Sequence, residues 1–214
     1  MNVDQRYRLL YKPLVFVVCL LPFAWLLWGA FGLPGVSLGA DPVKKIEHEL
    51  GLRALQLLLL TLLITPLRQL LGLTHLPRLR RMLGLFAFFY ALLHFTAYLS
   101  LDLEFNFGAF FKDVSKRPYI TIGLLALLLL IPLAVTSTNK MMRRLGRRWQ
   151  KLHRLIYPIA ILGVWHFWWQ VKRDIREPLI YAGILAILLT YRVIRAQRKA
   201  LTSTSGSATV PERT

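Results

Sequence analysis

Five histidines are the residues of this 214-residue sequence with the most informative chemistry. Three of them, His94, His153 and His166, lie within long apolar segments. An ionisable side chain in such a segment is costly and usually has a function. A neutral imidazole offers a nitrogen lone pair to a metal ion. The single cysteine, Cys19, supports neither a disulfide framework nor a thiolate metal site, so the three histidines are the candidate metal ligands.

The depths of His94 and His166 predict a shared site. His94 follows Arg81 by 13 residues and His166 follows His153 by 13 residues. At about 1.5 Å per helical residue, both imidazoles lie roughly 20 Å from the start of their helix. Two imidazoles on different helices can bind one heme iron from opposite faces. The alternative is a pair of buried histidines that are hydrogen-bonded to neighbours.

A second heme at His153 has weaker support. On an ideal helix, His153 and His166 point about 140° apart, and they share a face only if Pro158 bends the helix. His153 lies 13 residues before His166. The residue 13 positions before His94 is Arg81, so the helix of His94 offers no histidine to pair with His153. The sequence therefore favours one heme near the outer side and leaves an inner one open.

Two further histidines and three glycines bear on this site. We interpret His75, in a basic loop, as solvated. His48, beside Glu47, is equally compatible with an interfacial and a functional role. Three glycines are candidates for a close approach of a flat ring or a neighbouring helix: Gly84, Gly123 and Gly163.

The elements that position these residues are transmembrane helices. Hydrophobic residues make up 56% of the chain and the mean hydropathy is +0.49, more apolar than soluble domains. A bilayer-spanning helix needs about 20 apolar residues, and uninterrupted runs of this length exclude a β-barrel. We predict an all-α, polytopic membrane bundle of about six helices. They cover Pro13–Ala30, Leu50–Pro66, Met82–Leu101, Tyr119–Val135, Leu152–Trp169 and Pro178–Ile194.

The charge of +18 is distributed unevenly between the two sides of this bundle. With the amino terminus placed in the cytoplasm, the cytoplasmic segments contain nineteen basic and two acidic residues. The opposite segments contain nine basic and eight acidic residues. This positive-inside asymmetry predicts that both termini are cytoplasmic. The basic loops are therefore topology signals and contacts for anionic lipids, and nucleic-acid binding is disfavoured.

The remaining sequence limits the function. The Ser/Thr-rich tail, residues 201–214, is predicted to be a disordered cytoplasmic segment. We find no soluble domain, internal repeat or Gly-rich nucleotide loop. Without a nucleotide site, any electrons must come from another protein or from a membrane quinol.

Several segments together resemble a known family. They are Gly39-Ala40-Asp41-Pro42-Val43-Lys44 with His48 and Gly51, Leu63-Ile64-Thr65-Pro66-Leu67, Arg80-Arg81-Met82-Leu83-Gly84-Leu85, the His94 segment, Arg117-Pro118-Tyr119, Thr136-Ser137-Thr138, Leu145-Gly146 and Trp149-Gln150-Lys151-Leu152-His153 with Tyr157. From about Leu21 to Tyr191 the chain resembles the heme-binding membrane subunits of bacterial periplasmic methionine sulfoxide reductase systems. These subunits belong to the ferric-reductase-like transmembrane superfamily.

The resemblance implies a function and a set of ligands. Residues 1–200 would form one heme-binding transmembrane domain in the bacterial inner membrane. The family passes electrons from a cytoplasmic flavin reductase or the quinone pool, through heme b, to a periplasmic molybdopterin methionine sulfoxide reductase that repairs oxidised proteins. FMN is also attributed to it. The family's heme ligands fall on His94, His153 and His166, and Arg80 or Arg81 occupies the place of the superfamily's fourth histidine.

These expectations describe an electron-transfer subunit of an oxidoreductase, without bond chemistry of its own, that binds one or two b-type hemes. Four arginines are candidates for pairing with heme propionates or an acidic donor: Arg80, Arg81, Arg147 and Arg148. The outer loops around Asp41 and Phe105–Phe111 would contact the periplasmic partner. Two other classes of protein stay open, a stand-alone transmembrane ferric reductase and a colourless membrane scaffold or transporter.

Overall fold

The computed structural model describes residues 5, 7–72, 76–171 and 174–207, and in these residues it is helical without strands. His75, predicted to be solvated, lies outside the described residues. The α-helices, labelled in chain order, are α1 Lys12–Ala30, α2 Pro42–Leu71, α3 Pro77–Ala97, α4 Phe107–Lys116, α5 Pro118–Val135, α6 Asn139–Leu145, α7 Arg147–Leu152, α8 Ile156–Gln170 and α9 Arg176–Ser207.

Five helical segments of the described residues are long and apolar enough to cross a membrane. They are Leu9–Ala30, Pro42–Leu71, Pro77–Asp102, Pro118–Val135 and Arg176–Arg198. The chain is an all-α, multi-pass membrane protein, as predicted. The count of six and the cytoplasmic termini stay predictions.

The predicted fifth span, Leu152–Trp169, is not one continuous α-helix. The 3₁₀ turn His153–Leu155 separates α7 from the 15-residue helix α8. Pro158 is the third residue of α8, where a backbone N–H has no partner within the helix in any case. Pro158 therefore lies in the first turn of α8, directly after the 3₁₀ turn, and a bend at Pro158 stays a prediction. His153 lies in this turn, whereas His166 lies in α8.

The predicted disordered tail, residues 201–214, is described only as far as Ser207, and its disorder stays a prediction. Helix α9 continues to Ser207, into the segment expected to be disordered. Extending a formed helix by one residue is far easier than starting a new one, which explains a helix that outlasts its apolar sequence. Residues 208–214 lie outside the described residues, and the domain boundary at residue 200 stays a prediction.

Two antiparallel hairpins form the centre of the fold. Helix α2 packs along α3, and α5 packs along α8, while α1 contacts both helices of the first hairpin and α9 contacts α8 and α2. The buried residues that join the hairpins are almost all aliphatic. They are Leu55, Leu58, Leu59, Leu62, Ala87, Leu130, Leu133, Ile156, Ile159, Ala160, Val164, Leu185 and Leu188.

Side chains from neighbouring helices bind backbone groups beside two of the prolines. Pro66 has no N–H to donate to the Leu62 carbonyl, and the guanidinium of Arg192 donates to that oxygen instead. Beside Pro22, the Tyr90 hydroxyl donates to the Cys19 carbonyl at 2.7 Å and accepts from the Phe23 N–H at 3.1 Å. These bonds attach α9 to α2 and α3 to α1.

The two ends of the bundle differ in charge. We call the end that contains the α1–α2, α3–α5 and α8–α9 connections the acidic end, because all eight acidic side chains of the described residues lie there. The other end, with α6, α7 and the 3₁₀ turn, is the basic end. The hairpins run between these ends, so each contributes side chains to both.

Candidate functional site

His94 on α3 and His166 on α8 meet between the two hairpins. Their ring centroids are 6.0 Å apart, and the ring planes are inclined at 76°. The prediction that these histidines reach the same depth from different helices is therefore confirmed by the geometry. That they bind heme is taken up below.

A backbone carbonyl orients each ring. The Nδ1 atom of His94 lies 2.9 Å from the Glu47 carbonyl oxygen, and Nδ1 of His166 lies 2.7 Å from the Tyr119 carbonyl oxygen. A carbonyl oxygen only accepts hydrogen bonds, so in both rings Nδ1 carries the hydrogen. The lone pair is then on Nε2, and this neutral form is the one that binds metals.

Two glycines allow the rings to lie against the opposite helix of their own hairpin. A Cβ atom at Gly51 would lie 3.2 Å from His94 Nδ1, and one at Gly123 would lie 2.7 Å from His166 Nδ1. Of the glycines selected from the sequence, only Gly123 has this role. A Cβ at Gly84 would meet nothing within 4 Å, and one at Gly163 would meet Leu55 at 3.6 Å.

The same arrangement occurs twice along the chain. In each hairpin the residue with the orienting carbonyl precedes its histidine by 47 residues. The glycine that faces the ring follows that residue by one helical turn in both hairpins. The two hairpins thus share a local geometry without a recognisable repeat in the sequence. This shared geometry escapes notice in the sequence because a carbonyl is common to every residue, and only glycine and histidine recur in this set.

A cavity of about 420 Å³ surrounds the two histidines. This volume lies within the range of roughly 300–1,000 Å³ for ligand sites. Charged and polar side chains line it towards the acidic end: Lys44, Glu47, His48, Tyr98, Asp102, Arg117 and Gln170. Towards the basic end it is lined by aliphatic side chains that include Leu58, Leu127, Leu130 and Ile159.

These residues fit an edge-on heme. A ligating imidazole nitrogen lies about 2 Å from its metal. Two rings on opposite faces of one iron would then have centroids roughly 6 Å apart, as His94 and His166 do. The donor set of two neutral imidazoles is one that heme iron accepts. An apolar slot with polar groups at one edge also suits an amphiphilic macrocycle.

His153 has a different environment. Its Nε2 atom lies 3.1 Å from the hydroxyl oxygen of Thr136, and its ring stacks on Trp149 at a centroid distance of 3.9 Å. Thr136 donates its own hydrogen to the Pro132 carbonyl at 2.6 Å, so it accepts one from His153 Nε2. The ring nitrogen that would face a metal is therefore engaged. The structure does not bring His153 to the other two histidines, and its role as a heme ligand stays a prediction.

Arg81, which takes the place of His153 in the first hairpin, is also engaged. Its guanidinium bonds to the side-chain oxygen of Asn139 and lies 3.7 Å from the sulfur of Met142. None of the four arginines proposed for propionates lines the described cavity, because the cavity's polar side is at the other end. Lys44 and Arg117, which sequence reasoning did not select, are the basic residues among its described lining.

His48 lines the cavity near its polar end. Its Nε2 atom lies 3.7 Å from a carboxylate oxygen of Glu177, and its ring centroid is 6.0 Å from that of Phe167. Of the two roles left open for His48, this position favours a functional one.

The fold and the site define a class: a multi-pass helical membrane protein with two facing histidines between its hairpins. The protein-family model described as "Ferric reductase like transmembrane component" matches residues 50–164 of this chain. A protein-methionine-sulfoxide reductase heme-binding subunit MsrQ from Xanthomonas axonopodis pv. citri is 58% identical over 85% of each chain. Subunits of the same name from Xanthomonas campestris pv. campestris (55%; 94% of this chain, 93% of the relative) and Rhodospirillum rubrum (53%; 86% and 88%) also match.

The chain belongs to the ferric reductase-like transmembrane family, and within it to the group of MsrQ heme-binding subunits.

Proposed function

We propose that this protein is the heme-binding, electron-transfer subunit of a protein-methionine-sulfoxide reductase system, with a b-type heme bound between Nε2 of His94 and Nε2 of His166. The observation that carries the proposal is the pair of facing imidazoles, each with its hydrogen held on Nδ1 by a carbonyl. The relatives' names supply the cofactor and the reductase system.

The bound heme would supply a one-electron carrier within the bilayer, and the protein determines its position and environment. The carbonyls of Glu47 and Tyr119 hold both imidazoles in the form that binds metal. The aliphatic lining towards the basic end excludes water from one side of the site. Axial ligation and burial are the means by which a protein adjusts a heme potential.

The charge asymmetry supports an orientation of the bundle, and the family resemblance supports a direction of transfer. We place the basic end in the cytoplasm and the acidic end in the periplasm of the bacterial inner membrane. Electrons would then enter at the basic end from a flavin reductase or a quinol, with FMN or a second heme at His153 as further carriers. They would leave at the acidic end, beside His94 and His166.

The acceptor would be a periplasmic molybdopterin methionine sulfoxide reductase that docks at the acidic end. Helix α4 lies there and is attached to the site region, because Phe110 packs on Phe95 and the Tyr98 hydroxyl donates to Asp113 at 2.8 Å. Phe105, Phe107 and Phe111 are all more than half exposed. Exposed aromatic side chains are enriched at protein interfaces. Replacing Phe105, Phe107 and Phe111 by serine, which leaves Phe110 and Asp113 in place, should keep the heme and abolish reduction of the partner.

A stand-alone ferric reductase is the second candidate, favoured by the charged cavity lining near the acidic end, from which a small acceptor could approach. Such a protein would reduce a ferric chelate without any protein acceptor. Measuring heme oxidation by a ferric chelate and by the purified reductase, with the same preparation, distinguishes the two functions.

The decisive test is the spectrum of the purified protein. We expect b-type Soret and α bands in the wild type and their loss in His94→Ala and His166→Ala, because each variant removes one axial ligand. His75→Ala, outside the predicted spans, is the matched control and should keep full heme content. The heme content of His153→Ala shows whether a second heme exists.

A colourless wild type, expressed with ample heme, would exclude the electron carrier and favour a scaffold or transporter. Equal heme content in the wild type, His94→Ala and His166→Ala would refute these two residues as ligands.

A further inference from the structure

We infer that the heme is oriented with its two propionates towards the acidic end, where Arg117 and Lys44 pair with them. The inference rests on the proposed function, since it assigns one edge of the same cofactor. It concerns the two basic residues of the described cavity lining, which the heme-ligand assignment leaves without a role.

The polarity of the cavity decides between the two orientations. On α5 and the residue before it, Arg117 lies on the acidic-end side of Gly123 and Leu130 lies on the opposite side. At about 1.5 Å per residue, the cavity reaches roughly 10 Å to either side of the histidines. Propionates at the far side would lie against Leu58, Leu130 and Ile159. A carboxylate buried there without a partner would cost many kcal/mol, so that orientation is disfavoured.

Arg117 is well placed for a carboxylate. It connects α4 to α5 and lies just before Tyr119, whose carbonyl orients His166. Its guanidinium lies 3.3 Å from a carboxylate oxygen of Asp113, and its side chain is half exposed. A guanidinium has five N–H donors, so this pairing leaves donors for a propionate.

Lys44 is the basic residue that the first hairpin contributes to the cavity lining. It lies in the first turn of α2, just before Glu47, whose carbonyl orients His94. Its ammonium group pairs with Asp41 at 2.5 Å and has two further N–H donors. When Glu47 is aligned with Tyr119, Lys44 falls on Lys116 and Lys45 falls on Arg117, so the cation that lines the cavity is one position earlier in the first hairpin. Each hairpin thus contributes one cation above its own histidine.

Two acidic residues, Glu47 and Asp102, line the same part of the cavity. Their negative charges repel a propionate. Arg117 and Lys44 are therefore needed to make this edge of the cavity favourable for carboxylates. The loss of either cation should therefore weaken binding of a charged ligand and leave an uncharged one unaffected.

The test compares heme with heme dimethyl ester, in which both carboxylates are esterified. Each is titrated into full-length protein purified in detergent after heme-limited expression. We expect the wild type to bind heme about tenfold more tightly than the ester, because esterification removes both pairings and each cation is at least half exposed, which weakens the pairing. In Arg117→Gln with Lys44→Gln this preference should fall towards one. Lys116→Gln and Lys45→Gln, adjacent cations that do not line the cavity, are the matched controls and should retain it.

The midpoint potential gives a second readout. A cation beside the propionates disfavours the ferric state, which has one more positive charge than the ferrous state. Arg117→Gln should therefore lower the potential relative to wild type and Lys116→Gln.

Equal weakening of heme and ester in the double variant would mean a structural effect and overturn the inference, as would a wild type without preference for heme. Failure of the wild type to bind either compound would instead refute the proposed function.

Discussion

The histidines at the two ends of the bundle have opposite hydrogen placements. At the acidic-end site, carbonyl oxygens hold the hydrogen on Nδ1 of His94 and His166, so Nε2 is available to a metal. At the basic end, the Thr136 hydroxyl accepts the Nε2 hydrogen of His153. The same type of residue is therefore prepared as a ligand at one end and as a hydrogen-bond donor at the other.

The residue that faces each histidine from the opposite helix of its hairpin accounts for the different position of the hydrogen. In the second hairpin Gly123 faces His166, whereas Thr136, nearer the basic end, bonds to His153. The positions of the first hairpin that correspond to Thr136 and His153 are Ile64 and Arg81. Glycine lets a ring lie flat against the backbone, whereas a larger side chain prevents this or binds the ring. The bonding partner of each ring therefore determines which nitrogen carries the hydrogen, and the role of His153 as a ligand stays a prediction.

Filling the space between Gly123 and the His166 ring should have the largest effect on heme affinity. In Gly123→Ala the new methyl group would lie 2.7 Å from His166 Nδ1 and must displace the ring from the Tyr119 carbonyl. Overpacking of this kind costs about 1–3 kcal/mol, so heme affinity should fall roughly ten- to a hundredfold. Heme titration of the purified variant measures it.

Gly84→Ala is the control, because its methyl group would meet nothing within 4 Å. Alanine is also a better helix former than glycine by about 1 kcal/mol, so this variant should bind heme normally and unfold at a higher temperature. If Gly84→Ala and Gly123→Ala bind heme equally well, ring position does not depend on Gly123.

Much of this arrangement could be predicted from the sequence. Long apolar runs predict the all-α membrane fold. The equal distance of His94 and His166 from the basic loops predicts that the two histidines lie at the same depth. The break before α8 could not be predicted, since hydropathy does not distinguish a 3₁₀ turn from an α-helix. Gly51 was missed because glycines are common in membrane helices, and the direction that one faces depends on how the helices pack.

Gly51→Ala should have an intermediate effect. Its methyl group would lie 3.2 Å from His94 Nδ1, a contact that a shift of a few tenths of an ångström relieves. We expect heme affinity to fall by roughly three- to tenfold, near the lower limit for overpacking. Titration under the same conditions as for Gly123→Ala gives the comparison. If heme affinity falls more in Gly51→Ala than in Gly123→Ala, the distance from the new methyl group to the ring does not determine the loss of affinity.

Thr136→Val should have the smallest effect on heme binding, and it tests the basic end. Valine has nearly the shape of threonine but cannot accept the Nε2 hydrogen of His153, so a half-buried donor loses its partner. The cost is about 1–3 kcal/mol, measurable as a lower unfolding temperature in detergent. Thr136→Ser keeps the hydroxyl and should behave as wild type. The bands of the heme at His94 and His166 should not change, because neither ring contacts Thr136. Altered bands would mean that the two ends are coupled, and the acidic-end site would then depend on the state of His153.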